Sequence, residues 1–186
     1  MKWGFKSYTQ CDSSNVYNCT FELYTGQATP AGEHGITHDL VMRLMQPYLQ
    51  QGYQLFTDNY YSSHVLALSL KDQFTGLVGT VNCNRTGFPA RLKNIKVFQR
   101  HGQRGDMRHE RVENVAYIQW LDKRAVTVLS TIHTATDFEQ VQRMVKVDGT
   151  WQEKYLRKLQ AIDCYNQHMG GVDVFDQLAS GYRLLR

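Results

Sequence analysis

Apolar and polar residues alternate over the early part of the chain. From position 17 to 23 every second residue is apolar, and the residues between them are polar or charged. This period of two is typical of a strand with one buried face. Residues 12–15 are all turn-forming types. We therefore predict that residues 3–10 and 16–24 form two strands, which pair as an antiparallel hairpin.

The pattern then changes to helical spacing. Apolar residues at steps of three and four between Ile36 and Leu49 predict a helix with one apolar face, which Pro47 shortens or kinks. A short apolar run then ends at Asp58, and a polar turn separates it from apolar residues at helical spacing over 65–70. Asp58 is thus predicted at the carboxyl end of a buried strand, which is where ligands tend to bind in α/β sheets.

The remaining pattern predicts further strands and one last helix. Short apolar runs predict strands at residues 76–81, 117–120 and 125–132. Residues 134–159 are polar and weakly patterned, so their structure is left open. Residues 163–178 are predicted to be helical despite two adjacent glycines. Strands followed by alternating helices and strands predict an α/β fold, with a mixed sheet and helices on both faces.

The composition is that of one folded domain. The chain has 186 residues, of which 42% are hydrophobic and 12% aromatic, and this argues against disorder. No apolar run approaches the length of a bilayer-spanning helix, so we predict no membrane partner.

The four cysteines contain no C-x-x-C pair, which argues against a zinc finger and favours reduced thiols. The net charge of +4 permits a nucleic-acid partner without requiring one.

Basic residues are concentrated between positions 85 and 111, where hydrophobic residues are few. We interpret this stretch as a basic insertion at about 85–115 that leaves the core. Two alternatives stay open for it: a surface that follows a nucleic-acid backbone, and a solvated lobe without a ligand. The candidate DNA-binding residues are Arg91, Lys93, Lys96, Arg100, Arg104 and Arg108.

The strongest candidate chemistry lies in three carboxylates. Asp173 and Asp176 are three residues apart, so on a helix their side chains lie on one face. Mg²⁺ prefers oxygen ligands, and two such ions held by Asp58 and this pair could activate a water and stabilise a leaving oxygen in phosphodiester cleavage. The spacing alone leaves open the alternative that the pair is a solvated helix face and Asp58 a turn residue.

Two histidine patterns are weaker candidates. His34 and His38 have the i, i+4 spacing of a zinc pair, but no third ligand or adjacent catalytic glutamate accompanies them. Cys164 lies near His168 in sequence, which by itself does not make a nucleophile.

Several short motifs, taken together, resemble the piggyBac transposase family. In the family's order they are Lys2-Trp3-Gly4-Phe5-Lys6, Cys11-Asp12-Ser13, Tyr24-Thr25-Gly26, Asp58-Asn59-Tyr60-Tyr61-Ser62-Ser63, Gly79-Thr80-Val81, Asn84-Arg85, Leu129-Ser130-Thr131-Ile132-His133, and Tyr165-Asn166-Gln167-His168-Met169-Gly170-Gly171-Val172-Asp173 with Asp176-Gln177 after it. They extend over nearly the whole chain. The last motif is the most specific, because it is long and unusual.

The resemblance implies an RNase H-like α/β fold over residues 1–186. It implies a DDD motif, three aspartates that bind two Mg²⁺ ions, for cleavage at transposon ends and strand transfer into target DNA. By the same match Asp58 is the second aspartate, Asp173 the third, and Asp176 an additional acid close to the metals. The basic stretch falls where family members carry an insertion that contacts DNA. DNA is therefore the expected partner, a nuclear location is expected, and a homodimer is compatible with the match.

One family aspartate has no counterpart in this sequence. It lies on the fold's first strand, upstream of the Lys-Trp-Gly motif, and we expect that strand to be missing from this chain. Asp12 corresponds to a different family position. We also expect the family's last helices and cysteine-rich zinc domain to lie outside the chain. Impaired DNA cleavage is thus expected, and the alternative is a domesticated, catalytically inactive module that binds DNA or a protein.

Overall fold

The computed structural model describes residues 6–26, 30, 32–147 and 149–181. Strands β1 (Ser7–Cys11) and β2 (Asn18–Leu23) pair as an antiparallel hairpin, as predicted. Asp12 holds the turn between them, because its carboxylate accepts hydrogen bonds from the Ser14 backbone N–H (2.8 Å) and hydroxyl (2.7 Å). These bonds lower the pKa of Asp12. Residues 3–5 of the predicted first strand lie outside the described residues.

The next elements also follow the predicted order. Helix α1 (Ile36–Met45) continues into a 3₁₀ turn (Gln46–Tyr48) that contains Pro47. Strand β3 (Gln54–Thr57) is then followed by helix α2 (His64–Asp72) and strand β4 (Gly76–Thr80). Ser63 caps α2, since its hydroxyl accepts the backbone N–H of Leu66 at 3.2 Å. The cap places the loop that carries Asp58 directly before the helix.

A five-stranded mixed sheet forms the centre of the protein. After a 3₁₀ turn (Ala90–Leu92) and helix α3 (Ile95–His101) come β5 (Met107–Val112), β6 (Val115–Leu121) and β7 (Ala125–Ser130). The strand order is β3-β4-β7-β6-β5; β3 and β4 are parallel, and the other neighbours are antiparallel. With helices on both faces, this confirms the predicted mixed α/β class.

The basic stretch contains β5, which is an edge strand of this sheet. Phe88 and Leu92 are buried in the core, and β5 pairs along its whole length with β6. No strand was predicted here because β5 is largely charged, which an edge strand tolerates on its solvent side. The predicted surface lobe is therefore in part an edge of the main sheet. The limits of an insertion at about 85–115 stay a prediction.

The segment 134–159, whose structure the sequence left open, is mostly a long antiparallel ribbon. It consists of β8 (Phe138–Val147) and β9 (Thr150–Leu159). Two helices follow, α4 (Gln160–His168) and α5 (Gly171–Gly181). Residues 163–178, predicted to be helical, are helical except at Met169 and Gly170, where the chain breaks because glycine weakens a helix.

Hydrophobic clusters cover both faces of the sheet. On one face Leu77, Tyr117 and Leu129 pack against buried residues of α1 and α2. On the other face Ile118 and Val128 pack against the end of β9 and the start of α4. All seven residues of β6 are buried, so the middle of the sheet is closed on both sides. In the part of the chain that the structure describes, no helix is long and apolar enough to span a bilayer.

Candidate active site

Asp58 directly follows β3 and is held by its own loop. Its Oδ1 accepts the backbone N–H of Tyr60 at 2.9 Å and that of Tyr61 at 3.3 Å. Its carbonyl oxygen accepts both the backbone N–H (3.1 Å) and the hydroxyl (2.8 Å) of Ser62. The side chain and the backbone of Asp58 are therefore both fixed by Tyr60, Tyr61 and Ser62.

The loop is packed tightly against β4. Ser62 Oγ lies 2.8 Å from Thr57 Oγ1 in a buried hydrogen bond. A Cβ atom at Gly79 would lie 2.2 Å from Ser62 Oγ and 2.6 Å from Thr57 Oγ1. Only glycine leaves room for this close approach. The position of Asp58 thus depends on the parallel β3–β4 pair as well as on its own loop.

Asp173 and Asp176 lie on α5, whose start contacts β1, and the end of the preceding helix α4 rests on β3. His168 Nδ1 is hydrogen bonded to Ser13 Oγ at 3.0 Å, and the His168 ring stacks on Phe56 with centroids 4.7 Å apart. A Cβ atom at Gly171 would lie 3.5 Å from the Cα atom of Ser13. These contacts hold the α4–α5 junction against the same strand, β3, that carries Asp58.

A cavity of about 780 Å³ brings the three predicted acids together, because Asp58, Asp173 and Asp176 all line it. Its side walls are β1 and β3, each of which has an outer edge that pairs with no other strand among the described residues. Within those residues, no group of three or more His, Cys, Asp or Glu side chains is close enough to hold a metal ion. The acids therefore share a cavity without forming one complete ligand shell.

Two tyrosines stand beside these carboxylates. Burial, with a further contribution from Asp58, raises the pKa of Tyr61 to about 12. Burial also raises the pKa of Tyr165, and the negative charges of Asp58 and Asp173 act in the same direction. The Tyr165 hydroxyl lies 3.3 Å from Thr80 Oγ1. Both phenols stay protonated at neutral pH. Neither tyrosine was predicted as a site residue, although both lie within the motifs that resemble the family.

The carboxylates that line the cavity are ligands of the kind that a hard divalent cation prefers. Carboxylate oxygens are preferred ligands of Mg²⁺, which usually takes one or two protein carboxylates and completes its shell with water and substrate oxygens. Asp58 and Asp173 are close enough to act together on Tyr165. A cation between them would relieve the repulsion of their charges.

The six predicted DNA-binding residues divide into two groups. Arg91, Lys93, Lys96 and Arg100 are exposed on the 3₁₀ turn and α3 and the residues beside them. The other two are engaged within the protein. Arg104 forms an ion pair with Asp122 and donates to the Met144 carbonyl at 2.8 Å.

Arg108 is the second engaged arginine. It donates to Gln119 Oε1 at 2.6 Å and to the Leu92 carbonyl at 3.0 Å, and its guanidinium lies 4.5 Å from the Phe98 ring centroid. Burial lowers the pKa of Arg108. Arg104 and Arg108 thus fasten the basic segment to the sheet, and the first four residues form its exposed basic surface.

The weaker histidine candidates have structural partners. His38 bridges α1 and α2, with Nδ1 3.1 Å from Asp39 Oδ1 and Nε2 3.0 Å from Ser69 Oγ. The His34 ring packs edge-on against it. Burial raises the pKa of Cys164, which keeps the thiol protonated and argues against a nucleophile.

Comparisons with known proteins place this geometry in a family. The model of the Transposase IS4 family matches residues 1–186. In structure, the chain is similar to piggyBac transposase in a cryo-EM synaptic complex with hairpin DNA, with a TM-score of 0.73 and 25% sequence identity. This similarity covers 95% of the present chain and 34% of that transposase, so the chain spans about a third of the protein it matches. The resemblance predicted from the motifs is confirmed.

Proposed function

Because this chain belongs to the Transposase IS4 family, we propose that it is a transposase-derived domain that binds DNA and holds a divalent cation, with Mg²⁺ as the expected ion. The observation that carries the proposal is the shared cavity of Asp58, Asp173 and Asp176. A solved relative of similar fold is described in complex with hairpin DNA, which supports DNA as the partner.

In this proposal each acid has a separate part. Asp58 is a ligand of fixed orientation, because two backbone N–H groups hold one of its oxygens. Asp173 is the second ligand, and Asp176 supports it from the next turn of α5. Bound metal would supply activation of a water and stabilisation of the leaving oxygen in phosphodiester cleavage. Tyr61 and Tyr165, both protonated at neutral pH, are neutral hydrogen-bond donors beside the carboxylates.

Metal binding is tested best with variants that keep the loop intact. Asp58→Asn retains the oxygen that accepts the Tyr60 and Tyr61 N–H groups, but removes the charge. We expect Asp58→Asn and Asp173→Asn each to weaken Mn²⁺ binding at least tenfold, measured by the electron paramagnetic resonance signal of free Mn²⁺. Asp72→Asn, at the exposed end of α2, is the matched control. Unchanged Mn²⁺ affinity in both site variants would refute the metal site.

DNA cleavage is a separate measurement from metal binding. We expect Mg²⁺-dependent nicking of supercoiled plasmid to be weak, because no residue of this sequence matches the family's first aspartate. Any nicking should disappear in Asp58→Asn and persist in Asp72→Asn. Nicking that survives in Asp58→Asn would exclude this aspartate from the reaction.

We propose the exposed basic surface, formed by Arg91, Lys93, Lys96 and Arg100, as the duplex contact. Each phosphate contact that is lost reduces the slope of log K against log [salt] by roughly 0.9. Replacing all four residues with glutamine should therefore weaken duplex binding and flatten this slope by up to roughly 3.6 units. Lys71→Gln, on α2, is the control. An unchanged slope would assign DNA binding to another surface.

A second candidate function is a DNA-binding module without catalysis. It is favoured by the absence, within the described residues, of a three-member metal cluster. This second function predicts salt-dependent DNA binding and no Mg²⁺-dependent cleavage at any concentration of the protein. A nuclear location and a homodimer are further proposals, to be tested by imaging of the tagged chain and by light scattering.

A further inference from the structure

The ribbon formed by β8 and β9 has an outer face that carries two exposed aromatic rings. The register places Trp151 opposite Lys146 and Tyr155 opposite Gln142, so these four side chains lie on one face. Trp151 is 62% exposed and Tyr155 is 66% exposed. Other rings of the protein are equally exposed, among them Tyr17 and Phe74, but Trp151 and Tyr155 lie on the same face of one ribbon.

The ribbon is anchored, so this face is presented in a fixed position. Leu156, on the inner face, is buried. Trp120 Nε1 donates to the carbonyl of Arg157 at 2.8 Å, and Arg104 donates to the carbonyl of Met144. These bonds connect both strands to the rest of the protein. A ligand on the outer face would therefore meet an ordered surface and would not have to order a loop.

The spacing of the two rings suits a strand of unstacked bases. Trp151 and Tyr155 are four residues apart on the same strand, which corresponds to roughly 13 Å at 3.3 Å per residue. Neither ring takes part in a ring pair or a cation–π contact with another described residue. Phe138, by contrast, has the Arg157 guanidinium 4.7 Å from its ring centroid.

The charge of the ribbon favours an anionic ligand. Its two strands carry four basic residues that are not buried, Arg143, Lys146, Lys154 and Arg157, and two acidic residues, Glu139 and Glu153. A fifth basic residue, Lys158, is buried and ion-paired with Asp163. Lys146 and Arg157 lie on the outer face with the rings. The acid on that face, Glu153, accepts a hydrogen bond from Gln142. Aromatic rings combined with positive charge are the usual composition of a single-strand binding surface.

We propose that the outer face of the β8–β9 ribbon binds an unpaired DNA strand, with bases stacked on Trp151 and Tyr155 and phosphates beside Lys146 and Arg157. The inference rests on the proposed function, which makes DNA the partner, and it adds a contact separate from the cavity and from the basic surface. A duplex would use the charge but not the rings, because its bases are already stacked on one another.

The test compares a fluorescein-labelled thymidine oligonucleotide with a duplex of equal length, by anisotropy at one salt concentration. Loss of a base–aromatic stack weakens binding by roughly 5- to 140-fold. We expect Trp151→Ala and Tyr155→Ala each to lose this much affinity for the single strand and less than roughly twofold for the duplex. Tyr17→Ala, which removes a 70% exposed ring between β1 and β2, should change neither.

A conservative variant separates stacking from folding. Trp151→Phe keeps a ring, so it should retain most of the single-strand affinity. When the comparison is made in a Trp3→Phe background, Trp151→Phe should also lose the tryptophan quenching that the single strand causes, since the one tryptophan left, Trp120, is only 3% exposed and is shielded from bases. Persistence of this quenching in Trp151→Phe would overturn the assignment.

The remaining outcomes are distinguishable. Duplex binding with single-strand binding unaffected by Trp151→Ala and Tyr155→Ala would overturn the ribbon site and leave the proposed function standing. No binding of either DNA at low salt would overturn both. A dimer, seen by light scattering, that is lost in Trp151→Ala would instead assign the face to a contact between copies of this chain and overturn the inference.

Discussion

The middle of the sheet and the helix that carries Asp173 differ sharply in how they are held. Every residue of β6 is buried, whereas no residue of α5 is buried. Asp58 belongs to the first region, since its loop packs against β4. Asp173 and Asp176 belong to the second. The candidate site thus lies on a border between a closed core and a lightly packed helix.

This difference separates stability from site geometry. A substitution in the sheet should destabilise the whole protein and the site with it. A substitution on the outer side of α5 should leave the fold intact, because it removes few buried contacts. The following predictions use pairs of variants, one on each side of this border.

The largest effect is expected in the core. Leu129→Ala removes a fully buried side chain from the cluster between the sheet and the helices α1 and α2, and should lower the free energy of unfolding by roughly 2–5 kcal/mol. Leu178→Ala, at a position on α5 that is 59% exposed, should change it by less than roughly 0.5 kcal/mol. Urea denaturation followed by circular dichroism measures both. Equal losses would show that α5 is as tightly packed as the sheet.

The next effect tests the close approach beneath Asp58. Gly79→Ala forces a methyl group against Ser62 and Thr57, and should cost roughly 1–3 kcal/mol and weaken Mn²⁺ binding as well. Gly170→Ala is the control, because a Cβ there meets no atom within 4 Å. If Gly79→Ala has wild-type stability and metal affinity, the loop adapts and Asp58 is not rigidly held.

A smaller effect is expected at the start of α2. Ser63→Ala removes the oxygen that accepts the Leu66 N–H, and should cost about 1 kcal/mol. Ser180→Ala, near the end of α5, removes a hydroxyl that donates only to the Gln177 carbonyl and should be close to neutral. The melting temperatures of the two variants compare the loss of stability on the core side, at α2, with the loss on the α5 side.

The smallest effect at neutral pH concerns Tyr61. Its pKa in the folded protein, about 12, lies above the ordinary value of 10. Folding therefore favours the protonated phenol, and the resulting stability is complete below pH 10 and is lost as the pH rises towards 12. Tyr61→Phe should behave as wild type at pH 7 and lose less stability between pH 10 and 12. Absorbance titration at 295 nm should show one late-titrating tyrosine fewer; an unchanged curve would contradict the assignment.

The sequence predicted elements well where one period dominates. The β1–β2 hairpin, α1 and the β3–α2 unit each show a clear period of two or of three to four residues, and they appear as predicted. Strand β5 was missed because its charged residues mask the alternation. The β8–β9 ribbon was left open because most of its residues are exposed and polar residues occupy both faces, such as Gln142 on one and Arg143 on the other.

The site was predictable only in part. The three-residue spacing of Asp173 and Asp176 predicted that both lie on one helix. The order of the motifs that resemble the family grouped Asp58 with them. The cavity that all three residues line agrees with that grouping. Nothing local predicted that Arg104 and Arg108 would turn inward, because their partners Asp122 and Gln119 are brought close only by the pairing of β5 and β6. Tyr165 is likewise close to Asp58 only in the folded chain.

The facing outer edges of β1 and β3 have a consequence for the protein in concentrated solution. Among the described residues, each edge leaves backbone N–H and C=O groups without a strand partner, and such edges are templates for intermolecular pairing. An extended segment of a neighbouring molecule that entered the cavity could pair on both sides at once. The surface that gathers the three acids is therefore also the place where aggregation of this protein is expected to begin.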